Sequence, residues 1–262
     1  MTAKGSKMTE FANTTDGIRI AYDRVGEGPP VVLVHGFGSS RVQNWRSTGW
    51  YGSLTEAGYS LLAIDCRGHG ESDKPHDPLL YHHDRMAEDV LNVMDAVGIA
   101  NAPYIGYSMG GLIGLRFTAL FPDRLPRLVL GGVGEHYLTG PRVSDPEQRT
   151  VIADALLAEN KDGITDPRAR MFREFADQPG KDRLALAACM RAMSPPLPRA
   201  TLQMFGLPIL VVCGDQDEVA GAAGPLAAIF PHGSAAIVPG RDHMSAVGAR
   251  PTRQAAIDFL KS

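Results

Sequence analysis

The chain has 262 residues, 44% of them hydrophobic and 21% charged, with 26 Lys and Arg against 29 Asp and Glu for a formal charge of -3. This composition suits one large globular domain, and the lack of a basic surplus argues against nucleic acid or an anionic membrane as partner. No apolar run approaches the ~20 residues of a membrane span, the opening "MTAKGSKMTEF" lacks the apolar core of a signal peptide, and the scattered Cys66, Cys189 and Cys213 read as reduced core thiols of a cytoplasmic protein rather than as disulfides or a metal site.

In chain order, "GIRIAYDRV" alternates and ends at a Gly-Pro-rich turn, which predicts an edge or hairpin strand. "PPVVLVHG" and "YSLLAID" are continuous apolar runs, the pattern of strands buried on both faces. "YHHDRMAEDVLNVMDAVGI" carries Met86, Val90, Val93, Met94 and Val97 at helical spacing, with Gly98 as its stop. "APYIGYS" predicts a strand, "GGLIGLRFTALF" a helix ended by Pro122, and "LPRLVLGGVG" a further strand. Strand and helix in alternation imply an α/β fold: a mostly parallel, doubly wound sheet covered by helices on both faces.

From about Glu135 to about Gly206 the pattern is helical only, in "EQRTVIADALLAEN", "RARMFREFADQ" and "DRLALAACMRAMS". "LPILVVCGDQD" then resumes the strands, followed by "SAAIVPG" and the terminal helix "RPTRQAAIDFL". So many helical pieces in one connection read as an inserted lid over residues 135–206, with residues 1–134 and 207–262 forming the core.

Chemistry enters at "YIGYSMGGLIG", where a strand ends and a helix begins. A turn this sharp asks its middle residue for positive φ and its flanks for no bulk, which Gly106 and Gly110 supply. The result presents Ser108 at a helix N-terminus, where free N–H groups favour negative charge: a G-x-S-x-G nucleophile elbow.

A serine hydroxyl is a weak nucleophile without a base. Of eight histidines, His243 in "VPGRDHMSAVG" follows the last strand and sits on a loop at the sheet's carboxyl edge, where ligands bind in open α/β sheets. His35 closes a buried strand and reads as a loop brace. His69 lies in a glycine-rich turn, His82 and His83 open a helix, and His76, His136 and His232 lie in polar loops. The acid belongs between Ser108 and His243. "CGDQDEV" offers Asp215, Asp217 and Glu218, with Asp217 slightly favoured because Asp215 can cap the turn beside Gly214; Glu135 is a second place for it. Backbone donors for an oxyanion fall at Met109, directly after the nucleophile, and at Phe37, between Gly36 and Gly38.

With "HGFG", "DCRGHGES", "GYSMGG", "CGDQD" and "GRDHM" in order, the chain resembles α/β-hydrolase fold proteins of the lidded serine esterase and cofactor-free haloperoxidase-like group over nearly its whole length. The resemblance implies a triad in the order Ser108, Asp217, His243, with the acid closing a G-x-x-D turn from Gly214, and oxyanion donors at Phe37 and Met109. It also implies structural roles for Asp65, Arg67 and Ser72. Ser108 disfavours the members that attack with aspartate, the haloalkane dehalogenases and epoxide hydrolases. Tyr107 and Met244 stand where carbon-carbon hydrolases usually carry Asn and Trp, and Asp242 replaces the usual glycine before the histidine.

The expectation is therefore a carboxylesterase acting on a small-molecule ester or acyl substrate through an acyl-enzyme, without metal or organic cofactor. Perhydrolase or haloperoxidase-type, thioesterase and carbon-carbon hydrolase activities at the same triad are the alternatives, and a non-enzymatic small-molecule receptor stands further off. Substrate walls are expected from Phe172, Phe175, Met190, Met193 and Met244, with Leu156, Leu157 and Met171 also in the helical block.

Overall fold

A computed structural model describes residues 9–139, 145–192 and 194–262. The strands are β1 (Glu10–Asn13), β2 (Arg19–Val25), β3 (Pro30–Val34), β4 (Ser60–Ile64), β5 (Tyr104–Tyr107), β6 (Leu128–Gly131), β7 (Ile209–Gly214) and β8 (Gly233–Val238). They form a single sheet in the order β1-β2-β4-β3-β5-β6-β7-β8. The first two pairings, β1 with β2 and β2 with β4, are antiparallel, and all the others are parallel.

The helices are α1 (Trp50–Glu56), α2 (His83–Ala96), α3 (Met109–Leu120), α4 (His136–Thr139), α5 (Pro146–Leu157), α6 (Pro167–Ala176), α7 (Arg183–Ala192), α8 (Arg199–Leu202), α9 (Ala223–Ala227), α10 (His243–Ala246) and α11 (Arg250–Lys261). Proline at the first turn, behind the N-caps Asp145 and Asp166, starts α5 and α6, as its fixed φ and missing N–H favour.

The central strands are apolar throughout because each face has its own helical cover. Val32 and Val34 of β3, Leu62 and Ile64 of β4, and Leu128 and Leu130 of β6 point into the larger core with α2 and α3. Their neighbours Val31, Leu33, Leu61, Ala63 and Val129 point the other way, against Trp45, Trp50 and the α11 residues Ala256 and Ile257. The stretch "GIRIAYDRV" makes a hairpin strand but not an edge. β2 is paired on both sides and β1, four residues too short to show a pattern, holds the edge.

All helices between β6 and β7 belong to one connection, α4 through α8. Ile152, Leu156, Ala169, Leu186 and Met190 are buried there, so the block has its own interior while remaining continuous with the larger core. Cys66, Cys189 and Cys213 are free and buried. Asp65 pairs with Arg41, Arg67 binds Asp89 through Nε at 2.7 Å, and the Ser72 hydroxyl donates to the Asp65 carbonyl at 2.7 Å, so all three tie down the loop after β4. Among the described residues no helix is long and apolar enough to cross a membrane.

Candidate active site

Ser108 sits between β5 and α3 with φ 52° and is the one non-glycine residue at positive φ among the described residues. Its neighbours explain why the chain can make this turn. A Cβ on Gly106 would overlap the Gly110 carbonyl, and a Cβ on Gly110 would overlap the Val34 carbonyl, so strand, turn and helix close only around bare backbone. The Tyr104 hydroxyl, donating to the Gly110 carbonyl at 2.7 Å, pins the first turn of α3 from below.

His243 reaches this serine from 135 residues away. Its Nε2 lies 3.0 Å from Ser108 Oγ, and its Nδ1 lies 3.0 and 2.9 Å from the two carboxylate oxygens of Asp217. A carboxylate only accepts, so the imidazole proton belongs on Nδ1 and Nε2 is left to accept from the serine hydroxyl. The Asp217 side chain is fully buried, whereas that of His243 is 13% exposed, so the base faces the cavity and its partner does not. Backbone N–H groups of Val219 and Ala220 also donate to Asp217 Oδ1, at 3.0 and 2.8 Å, and fix the carboxylate's direction.

The other acids do different work. Asp215 accepts from the N–H groups of Gly240 and Arg241 at 2.7 and 3.3 Å, tying the turn after β7 to the end of β8. Glu135 accepts from Ala222 N–H at 3.2 Å. Asp242 caps α10 in a reciprocal pair with Ser245, whose hydroxyl and backbone N–H hold its carboxyl below the usual carboxylate range. Its side chain thus serves the backbone that carries His243.

The loop "HGFG" is braced from beneath. His35 Nε2 accepts from Cys66 N–H at 3.0 Å, which leaves Nδ1–H to donate to the Gly36 carbonyl at 2.8 Å. Burial holds the ring neutral, with its pKa pushed down to about 4. Asn44 accepts from Gly36 N–H at 3.2 Å. Phe37 and Met109 both line the cavity over Ser108, and the Met109 N–H lies in the first turn of α3, where no intrahelical partner exists.

That cavity has a volume of about 1040 Å³. Phe172, Phe175 and Met190 of the helical block line it, as does Met171, and Met244, 56% exposed, lines it next to His243. Phe172 meets Phe37 edge to face with ring centres 5.6 Å apart, and the Phe175 ring closes over Gly38. Leu156 is buried inside the helical block and Leu157 is partly exposed; neither lines the cavity. Met193 lies outside the described residues.

Several residues at the site have no site role assigned to them from the sequence. The Tyr107 hydroxyl donates to the His243 carbonyl at 2.5 Å, and His243 also packs at 5.4 Å from its ring. Asn44, His83 and Arg116 reach the cavity as well. Tyr107 stands next to the elbow serine, the one signal that marked it. The others are brought in by folding alone. Of the remaining histidines, His69 is buried behind Phe37, His76 pairs with Asp182 at 2.9 Å and His82 caps α2, while His136 lines the cavity with its ring against the Val219 carbonyl.

Comparison with known proteins places these features in context. The family described as alpha/beta hydrolase fold matches residues 29–141. A Bacillus subtilis (strain 168) protein, provisionally named 2-succinyl-6-hydroxy-2,4-cyclohexadiene-1-carboxylate synthase, is 28% identical over 230 residues, 78% of this chain and 80% of its own length. Epoxide hydrolase 3 of Siraitia grosvenorii is 35% identical over 115 residues, 44% of this chain but only 35% of that longer protein. Among solved structures, a hydrolase from Pseudomonas aeruginosa PA01 superposes with a TM-score of 0.79 at 29% identity, covering 98% of this chain and all of the other.

Proposed function

We propose, from the α/β-hydrolase fold that the chain has, that it is a serine hydrolase of carboxylic esters. The observation that carries this reading is the unbroken line from Ser108 Oγ through the His243 ring to Asp217, with contacts of 2.9 to 3.0 Å, at the tip of a strained turn that opens on the cavity. On this reading Ser108 Oγ attacks the ester carbonyl while His243 Nε2 takes its proton. Asp217 keeps the imidazole in the right tautomer and stabilises the imidazolium. Negative charge on the carbonyl oxygen is met by the Met109 and Phe37 N–H groups; a donor of this kind typically contributes about 3 kcal/mol. Collapse expels the alkoxide, which takes the proton from His243. Water, deprotonated by the same nitrogen, then releases the acid and restores Ser108.

We further assign the block 135–206 as a lid over this chemistry. Its support is positional: Phe172, Phe175 and Met190 line the same cavity as Ser108, and apolar walls of this kind exclude water and shape a pocket. The substrate is accordingly a small molecule with an apolar stretch beside its ester.

The test is pre-steady-state hydrolysis of a p-nitrophenyl ester. A burst equal to the active-site concentration, absent in Ser108→Ala, is the expected result. Turnover in Ser108→Ala equal to wild type, or no adduct on Ser108 after treatment with an organophosphonate, overturns the reading.

A further inference from the structure

Along α3, Ser108, Leu112 and Arg116 recur every four residues, and all three line the cavity. Residues so spaced lie on one face of a helix, and eight residues of α-helix rise about 12 Å. The cavity floor therefore runs from the nucleophile over an apolar leucine to a guanidinium. Arg116 is the one lysine or arginine among the described residues lining the cavity, and its side chain is only 15% exposed. One Nη2 hydrogen goes to the Pro195 carbonyl at 2.5 Å, and Asp84 stands at 3.5 Å from Nη1. A guanidinium has five N–H donors, so these two partners leave it able to receive a further acceptor.

The wall beside it is unusually short of partners. His83, 2% exposed, also lines the cavity, and its Nε2 has no hydrogen-bond partner among the described residues. Burial, with Arg116 next, keeps this ring neutral. Its backbone N–H binds the Ser194 hydroxyl at 2.9 Å, which closes this end of the cavity under Pro195 and Pro196. The triad end has the other sign: Asp242 adjoins His243 and Glu218 adjoins Asp217 in the chain, and both line the cavity. Glu174 is the remaining acid in the lining, on α6.

Together with the proposed ester hydrolysis, on which it rests, this polarity orients the substrate. His243 Nε2 must hand its proton to the departing alkoxide, so the alcohol part leaves on the side of Glu218 and Asp242. The acyl part takes the other limb, over Met109 and Leu112 towards Arg116. We propose that the cavity is built for esters whose acyl chain ends in a carboxylate, that is, monoesters of α,ω-dicarboxylic acids, with Arg116 binding the free acid. A carboxylate and a guanidinium form the strongest of ordinary side-chain pairings, and partial exclusion of water strengthens it further.

The experiment compares kcat/KM for monomethyl adipate, suberate and sebacate with that for the neutral methyl ester of equal chain length. In the wild-type enzyme at least one acidic ester is expected to exceed its neutral counterpart by tenfold or more. Arg116→Gln should bring that ratio down by at least tenfold, and Arg116→Lys, which keeps the charge, should retain part of it. No acidic preference at any length, or a ratio unchanged in Arg116→Gln, overturns the proposal. Calorimetric binding of free suberate and sebacate to Ser108→Ala separates this from the hydrolase reading. Binding that weakens tenfold or more on adding Arg116→Gln, where the wild-type protein itself shows no esterase turnover, upholds the acid site while refuting ester hydrolysis. Ester turnover with no Arg116-dependent binding or preference refutes the acid site alone.

Discussion

On the sheet side of the cavity, Ser108, His243 and Asp217 are joined by hydrogen bonds that cross from one loop to another, and Tyr107 adds a further bond to the His243 backbone. On the helical side, Phe172, Phe175 and Met190 meet the cavity with apolar surface, through an edge-to-face ring contact with Phe37 and packing over Gly38, and the bonds from His83 to Ser194 and from Arg116 to Pro195 tie this block to the core away from the triad. Directional bonds fix atoms to a few tenths of an ångström, whereas apolar faces can shift as one piece. The first wall is thus suited to the chemical step and the second to selection among substrates. Substitutions on the two should separate accordingly.

The largest effect is expected at the base. His243→Ala should lower kcat by about 10⁴-fold or more, since the members of such a triad work as a unit. The fold should persist, because His243 is partly exposed and its loop is held by Asp242 and Tyr107. Near-normal kcat in a variant with unchanged circular dichroism would move the base elsewhere.

Asp217→Asn comes next, at about 10³- to 10⁴-fold in kcat, because an amide favours the wrong imidazole tautomer. Asp215→Asn should cost less than tenfold, since Asp215 touches only backbone N–H groups of the turn. The reverse order would displace the acid by one turn position. Tyr107→Phe removes one hydroxyl that holds the His243 carbonyl, and a bond of about 0.5–1.5 kcal/mol corresponds to a 2- to 13-fold fall in kcat with KM little changed.

These expectations also show how far the primary structure carries. The elbow was readable because positive φ at Ser108 demands bare neighbours, and glycine is visible in a sequence. Asp217 was only half readable, as two aspartates two residues apart differ in direction rather than in type. Tyr107 and Arg116 gain their roles from contacts 136 and 79 residues away, which no local pattern records. The same holds for β2. Its alternation was plain, but its place inside the sheet depends on a four-residue partner too short to leave a signal.

On the helical wall, Phe172→Ala, Phe175→Ala and Met190→Ala should leave small activated acetates nearly unaffected while changing the preference among longer acyl chains. Each methylene newly accommodated or lost is worth about 1–3 kcal/mol in kcat/KM. A flat chain-length profile across folded variants would erase the contrast between the two walls and give selectivity to the loops around Phe37 and Met244.

The smallest effect concerns the seam between the walls. His35 and His69 lie under Phe37, and His83 lines the cavity at its Arg116 end; burial, before any other cause, pushes their pKa values down to about 4, 3 and 3. The unfolded chain then binds more protons than the folded one at pH values below about 6.5, so stability falls as pH drops through that window. Two buried acids act in the opposite sense. Burial raises Asp89 to about 6 and raises Asp65 as well, so each takes up its proton sooner when folded and partly offsets the loss. Three histidines against two aspartates still leave a net loss. The midpoint of urea unfolding is expected to be level from pH 8 to 7 and to decline steadily from pH 6.5 to 4.5, before the carboxylates with lowered pKa values, such as Asp23 and Asp16, add their own share below about pH 4. A midpoint that stays level or rises down to pH 4.5 would mean that the seam opens to water before it charges, and that the two walls are less tightly joined than the Phe37 contacts imply.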